Sequence, residues 1–101
     1  MPVTCKEDKR SLTALVAGEL DHHGAKTVME ELDRRIDAAQ PRELTLDLSG
    51  LTFADSSGIA VLLRAHRRMG QVRGAMRVVN TPDQAGKVFR AAGLERIIRF
   101  E

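Results

Sequence analysis

The sequence predicts a single α/β domain over residues 1–101, with a mixed, mostly parallel sheet of about five strands and helices mainly on one face. Three observations predict it. Apolar residues switch repeatedly between a period of two and helical spacing, which yields the order β-β-α-β-α-β-α-β. Strands separated by single helical crossovers favour parallel neighbours joined by right-handed connections, and three helices are too few to cover both faces of such a sheet. Finally, a chain of 101 residues with 43% hydrophobic content holds one core and leaves no room for a second domain.

The elements follow in order. A polar turn at residues 6–10 precedes the apolar run at residues 11–17, so two antiparallel strands open the domain, the second ending at Gly18. Ala25, Val28, Met29, Leu32, Ile36 and Ala39 recur at helical spacing, and Glu30 and Glu31 stand four residues before Arg34 and Arg35 on the wet side. That predicts a one-sided helix from Ala25 to near Pro41. Leu44, Leu46 and Leu48 alternate with Thr45 and Asp47, a strand over residues 43–49 that turns at Gly50. Residues 57–69 read as a helix, apolar nearly all round over residues 59–63 and then carrying Arg64, Arg67 and Arg68 into water. Gly70 and Gly74 bracket a turn into a strand at residues 75–79. Thr81, Pro82 and Gln84 supply an N-cap, a first-position proline and a capping-box partner, so a third helix starts at Pro82. It buries Ala85, Val88, Phe89 and Ala92 and stops at Gly93, a left-handed C-cap, before a last strand at residues 97–100.

Composition excludes several roles. Sixteen Lys and Arg against fourteen Asp and Glu leave a formal net charge of +2, far from the concentrated field that binding a nucleic-acid backbone requires. Three Phe, with no Trp or Tyr, offer few surfaces for stacking bases. The single Cys5 has no disulfide partner and no metal-ligand spacing, which fits a reducing compartment. The first ten residues lack an apolar signal segment, and no later run is long enough to cross a bilayer. A cytoplasmic protein is expected, with no direct nucleic-acid or membrane partner.

In a mostly parallel sheet, functional loops lie beyond the carboxyl ends of the strands, here residues 18–23 and 49–58. Asp55, Ser56, Ser57 and Gly58 stand where the third strand hands over to the second helix, where an Asp or Ser side chain accepts from free helix amides. One cap needs one acceptor. Three polar candidates followed by Gly58 therefore leave a hydroxyl free to be modified or to touch a partner. Asp21, just before the first helix, is an N-cap candidate of the same kind, and the two aspartates would flank one small surface.

In these segments the chain resembles the STAS-domain anti-sigma factor antagonists, most closely their sporulation sigma-F branch. The matching stretches are Gly18-Glu19-Leu20-Asp21-His22-His23, Phe53-Ala54-Asp55-Ser56-Ser57-Gly58-Ile59, and Gly93-Leu94 followed by Ile97-Ile98-Arg99-Phe100-Glu101. The resemblance runs along essentially the whole chain, in the right order. It implies an anti-anti-sigma factor: the unphosphorylated form binds an anti-sigma factor, itself a serine kinase that carries ATP or ADP, and so releases the sigma factor. It further implies phosphorylation of Ser56, the serine directly after the aspartate, as the event that turns binding off, with a PP2C-type serine phosphatase reversing it. The implied partner-binding residues are Asp21, His22, Asp55, Ser56, Ser57, Gly58 and Ile59. No cofactor or metal of its own is implied. Only the family pattern separates Ser56 from its neighbour Ser57.

Other readings stand beside this one. Ser56, Asp21 and His22 are the residue types of a nucleophilic triad, but no Gly-x-Ser-x-Gly elbow or oxyanion-hole loop accompanies them, so an enzyme is not expected. A STAS regulatory domain of another partner system, stress-responsive or transporter-associated, keeps the fold and changes the job. No phosphate-cradling glycine loop supports tight nucleotide binding. Adjacent His22 and His23 diverge on most backbones and lack a third His or a Cys at zinc-ligand spacing. His66 reads as a solvated or capping side chain, and Arg64, Arg67 and Arg68 as a wet helix face.

Overall fold

In the computed structural model, which describes residues 2–101, a hairpin of β1 (Val3–Asp8) and β2 (Ser11–Leu20) opens the chain. Its two-residue turn places Lys9 and Arg10 at φ 48° and 69°, the double positive φ that matches the twist of paired strands. Then come α1 (His22–Ala39), β3 (Glu43–Ala54), α2 (Ser56–Gln71), β4 (Ala75–Val79), α3 (Asp83–Ala91), a 3-10 turn at Leu94–Arg96, and β5 (Arg99–Phe100). The sheet runs β1-β2-β3-β4-β5, antiparallel only between β1 and β2.

One face of that sheet is the core. Leu12, Ala14 and Val16 of β2, Leu44, Leu46 and Leu48 of β3, and Val78 of β4 are each at most 1% exposed. Against them α1 sets Ala25, Val28, Leu32 and Ile36, α2 sets Val61, Leu62, Ala65 and Met69, and α3 sets Ala85 and Phe89. The helices touch in sequence, α1 with α2 and α2 with α3, as one layer. The alternate positions Thr13, Thr45 and Arg77 pair across β2, β3 and β4 on the other face, where the Arg77 Nε donates to Thr45 Oγ1 at 3.0 Å.

Several boundaries differ from expectation. β2 continues through Gly18, at φ 90°, to Leu20. β3 runs through Gly50 instead of turning there, because it is bulged: from Leu15 to Leu20 β2 advances five residues, while β3 advances seven from Asp47 to Ala54. A Cβ at Gly50 would lie 2.9 Å from that of Ala17, so only glycine fits the close approach. Helix α1 starts three residues early, at His22, because Asp21 caps it. Pro82 is the extended residue before α3, not its first helical one; the buried Thr81 hydroxyl has no partner among the described residues, and Gln84 bonds elsewhere. Ala92, expected in the core, is exposed, while Gly93 takes the anticipated positive φ of 74°. The 3-10 turn shortens the last strand to two residues and leaves Ile97 55% exposed.

Candidate functional site

Leu20 and Ala54 are the last paired residues of β2 and β3, and an aspartate follows each. Parallel strands of this kind deliver their successors to one edge, so Asp21 and Asp55 arrive side by side. The Asp55 N–H donates to the Leu20 carbonyl at 3.2 Å, which ties the second loop to the first. Both aspartates are extended, and both cap: Gly24 N–H donates to Asp21 Oδ1 and Ser57 N–H to Asp55 Oδ1, each at 2.8 Å. The positive ends of two helix dipoles therefore share one edge of the molecule.

Ser56 is the first residue of α2 and exposed. Because Asp55 makes the side-chain cap, the Ser56 hydroxyl is not used for it. Ser57 is half-buried and its backbone amide is the capped donor. Gly58 is buried, and a Cβ there would stand 3.4 Å from both Ala54 Cβ and the Phe89 ring, so the first turn of α2 lies directly against the core. Ile59 is half-buried and packs against that core. His22 and His23 are exposed in the first turn of α1 with ring centroids 5.8 Å apart. Among the described residues, no group of three His, Cys, Asp or Glu side chains could hold a metal ion. Between α1 and α2 runs an open groove of about 730 Å³, lined by His22, His23, Lys26, Met29, Ser57 and Arg64.

The arginines of α2 are less idle than a wet face suggests. Arg64 donates to Asp33 Oδ2 through Nε at 2.9 Å and Nη2 at 2.6 Å, and Arg68 reaches Asp33 at 3.7 Å and also pairs with Asp37. These pairs tie α2 to α1 at the surface, where solvent screening keeps each of them weak. Away from this edge, the Ser49 N–H donating to Asp47 Oδ1 at 2.9 Å holds the Asp47 carboxyl below its ordinary range. Burial pushes the Cys5 thiol up, so it is a poor nucleophile.

Three contributors escape a reading of the sequence. Phe53, 39% exposed, stands two residues before Asp55. A Cβ on Gly24 would fall on the Glu19 carbonyl oxygen, so the turn that Asp21 caps requires glycine. The Gln84 side chain, from α3, bonds both backbone groups of Ala54. The glycine directly after Asp21-His22-His23 is a legible signal. Nothing local to Gln84 points across thirty residues of chain.

The architecture is thus a small, mostly parallel α/β domain in which two helix starts share one edge. The chain belongs to the STAS domain family, whose sequence pattern matches residues 4–101. The anti-sigma F factor antagonist of Paenibacillus polymyxa is 32% identical over 87 residues, covering 86% of this chain and 74% of that protein. The structure of the anti-sigma factor antagonist SpoIIAA in its unphosphorylated form superposes with a TM-score of 0.82 at 24% identity, over 98% of this chain and 87% of that one. The Bacillus cell fate determinant SpoIIAA in the phosphorylated form gives 0.73 at 23% identity, over 98% and 90%. These two structures share the fold. Among the described residues, no helix is long and apolar enough to cross a membrane.

Proposed function

We propose that this chain is a cytoplasmic anti-sigma factor antagonist, a binding protein and not an enzyme, switched at Ser56. Unmodified, it occupies an anti-sigma factor that is also an ATP-dependent serine kinase, and the displaced sigma factor joins RNA polymerase. Phosphate on Ser56 ends that binding, and a PP2C-type phosphatase restores it. The surface engaged comprises Asp21, His22, Asp55, Ser56, Ser57, Gly58 and Ile59.

The observation that carries this reading is the setting of Ser56. It is exposed, first in α2, with the helix already capped by Asp55 and a second capped helix start adjoining through the Asp55–Leu20 hydrogen bond. The name of the Paenibacillus relative supports the role, and the existence of SpoIIAA in two phosphorylation states supports the switch. Ser57 is the poorer acceptor because it is half-buried and its own amide holds the cap.

The electrostatics suit a local switch. A phosphate adds about −1.5 to −2 charges at pH 7, which the free amides and dipole of α2 accommodate. A partner approaching the same edge instead meets added bulk and excess negative charge beside Asp21 and Asp55. The test is capture of partners from the native cytoplasm, followed by incubation of the captured kinase with the protein and ATP and mapping of the phosphate by fragmentation mass spectrometry. Phosphate on Ser56 is expected; phosphate on Ser57 alone, or capture of no kinase, overturns the reading.

A further inference from the structure

β4 pairs with β3 only where Ala75–Val79 lies against Glu43–Asp47. Among the described residues, 48–54 of β3 therefore have no strand on that side. At Ala54 the gap has consequences, because the residue is 0% exposed and its peptide groups cannot turn to water. In a strand the N–H and C=O of one residue point to the same side, and those of the next residue to the other. The Asp55 N–H goes to Leu20 on the β2 side, so the N–H and C=O of Ala54 face the empty side.

Gln84, in the first turn of α3, fills it. The Ala54 N–H donates to Gln84 Oε1 at 2.8 Å, and Gln84 Nε2 donates to the Ala54 carbonyl at 2.7 Å. One primary amide thus supplies the donor and the acceptor that a neighbouring strand would have supplied. The next residue is the Asp55 cap, and the one after it is Ser56.

We propose that Gln84 is a positioning residue for the Ser56 switch: its amide fixes the peptide leading into Asp55, and through that cap the direction in which Ser56 is presented to kinase and partner. The proposal rests on Ser56 as the phosphoacceptor and gives α3 a lever on a site it does not otherwise form.

Two variants separate positioning from bulk. Gln84→Met keeps the length and removes both bonds, leaving a buried donor and acceptor unpaired. Gln84→Glu keeps an acceptor for the Ala54 N–H, but when ionised it offers the Ala54 carbonyl no hydrogen. Once protonated, below a pH of about 4.3, the introduced carboxyl has both groups again. Asp83 and Lys87 stand near position 84 on α3 and Asp55 follows Ala54 at the cap; all three are common to wild type and both variants, so a difference between proteins belongs to position 84.

The experiment measures amide hydrogen-exchange protection in wild type, Gln84→Met and Gln84→Glu from pH ~3 to ~7, with Ser56 phosphorylation by the captured kinase at neutral pH. At neutral pH, Ala54 protection is expected to fall roughly 10- to 100-fold in both variants while the β2–β3 ladder below it is unchanged. On acidification it returns in Gln84→Glu alone. Phosphorylation kcat/KM is expected to fall at least about tenfold in Gln84→Met. Unchanged Ala54 protection in Gln84→Met, or an equal loss in every strand, overturns the proposal. Lost protection with an unchanged phosphorylation rate also overturns it and leaves the Ser56 reading standing. A wild-type protein that takes no phosphate on Ser56 overturns both.

Discussion

Asp21 and Asp55 are the same device built twice: each follows a member of the Leu20–Ala54 pair, and each accepts a helix amide at 2.8 Å. The two differ in what surrounds them. Asp55 is chained to the core through its own amide and the Gln84 clamp on Ala54, whereas the Asp21 turn leads into exposed His22 and His23.

Asp21→Ala is therefore expected to lose about 0.5–2 kcal/mol of stability, the cost of one cap. Its affinity for the anti-sigma factor should fall by more, at least about tenfold beyond any effect on folding. Calorimetric titration beside thermal melting separates the two quantities. An unchanged affinity removes Asp21 from the interface.

Gly24→Ala should be worse for the fold than loss of the cap. The new methyl falls on the Glu19 carbonyl oxygen, a backbone atom that cannot swing aside. Overpacking typically costs about 1–3 kcal/mol, and the upper end is expected here. Chemical denaturation of the two single variants ranks them, and a Gly24→Ala protein as stable as wild type would show that the start of α1 relaxes freely.

Phosphorylated Ser56 should leave the domain intact. Amide shifts are expected to change around residues 18–24 and 54–60, with the melting temperature moving only a few degrees, about the effect of 1 kcal/mol in a domain of this size. A coupling of about 3 kcal/mol against the partner already changes affinity roughly 150-fold, which is enough for a switch. Shifts spread through every strand would mean that the phosphate acts by unfolding.

Asp47 provides a pH signature. Its folded-state carboxyl is held down first by the Ser49 amide, so its contribution to stability is present above the ordinary Asp range near pH ~3.9 and is lost as pH falls through the depressed value. Asp47→Asn should flatten the acid limb of the stability curve and leave neutral stability closer to the acid value. An identical acid limb in wild type and variant would show that the Ser49 contact does not form in solution.

The sequence made the order of elements and the core legible because both are periodic: the leucines of β3 and the apolar stripe of α1 repeat at spacings set by strand and helix geometry. The caps were legible for a similar reason, since Asp21 and Asp55 act on amides two or three residues away. Hidden features depend on distant chain. β3 looked as if it turned at Gly50 because a glycine after an alternating run usually marks a turn; here it marks a bulge demanded by Ala17 on β2. Gln84 fits a local capping box by spacing, yet the unpaired edge of β3 outbids Thr81 for its amide.

Strand order in the sheet equals strand order in the chain. On the ribosome, every strand after the first would thus emerge beside a partner already made, one hairpin turn or one helix behind it, and no pairing waits on a segment still to be synthesised. The sheet can grow at a single advancing edge. Among the described strands β5 joins last, and at two residues it gives another chain little edge to pair with.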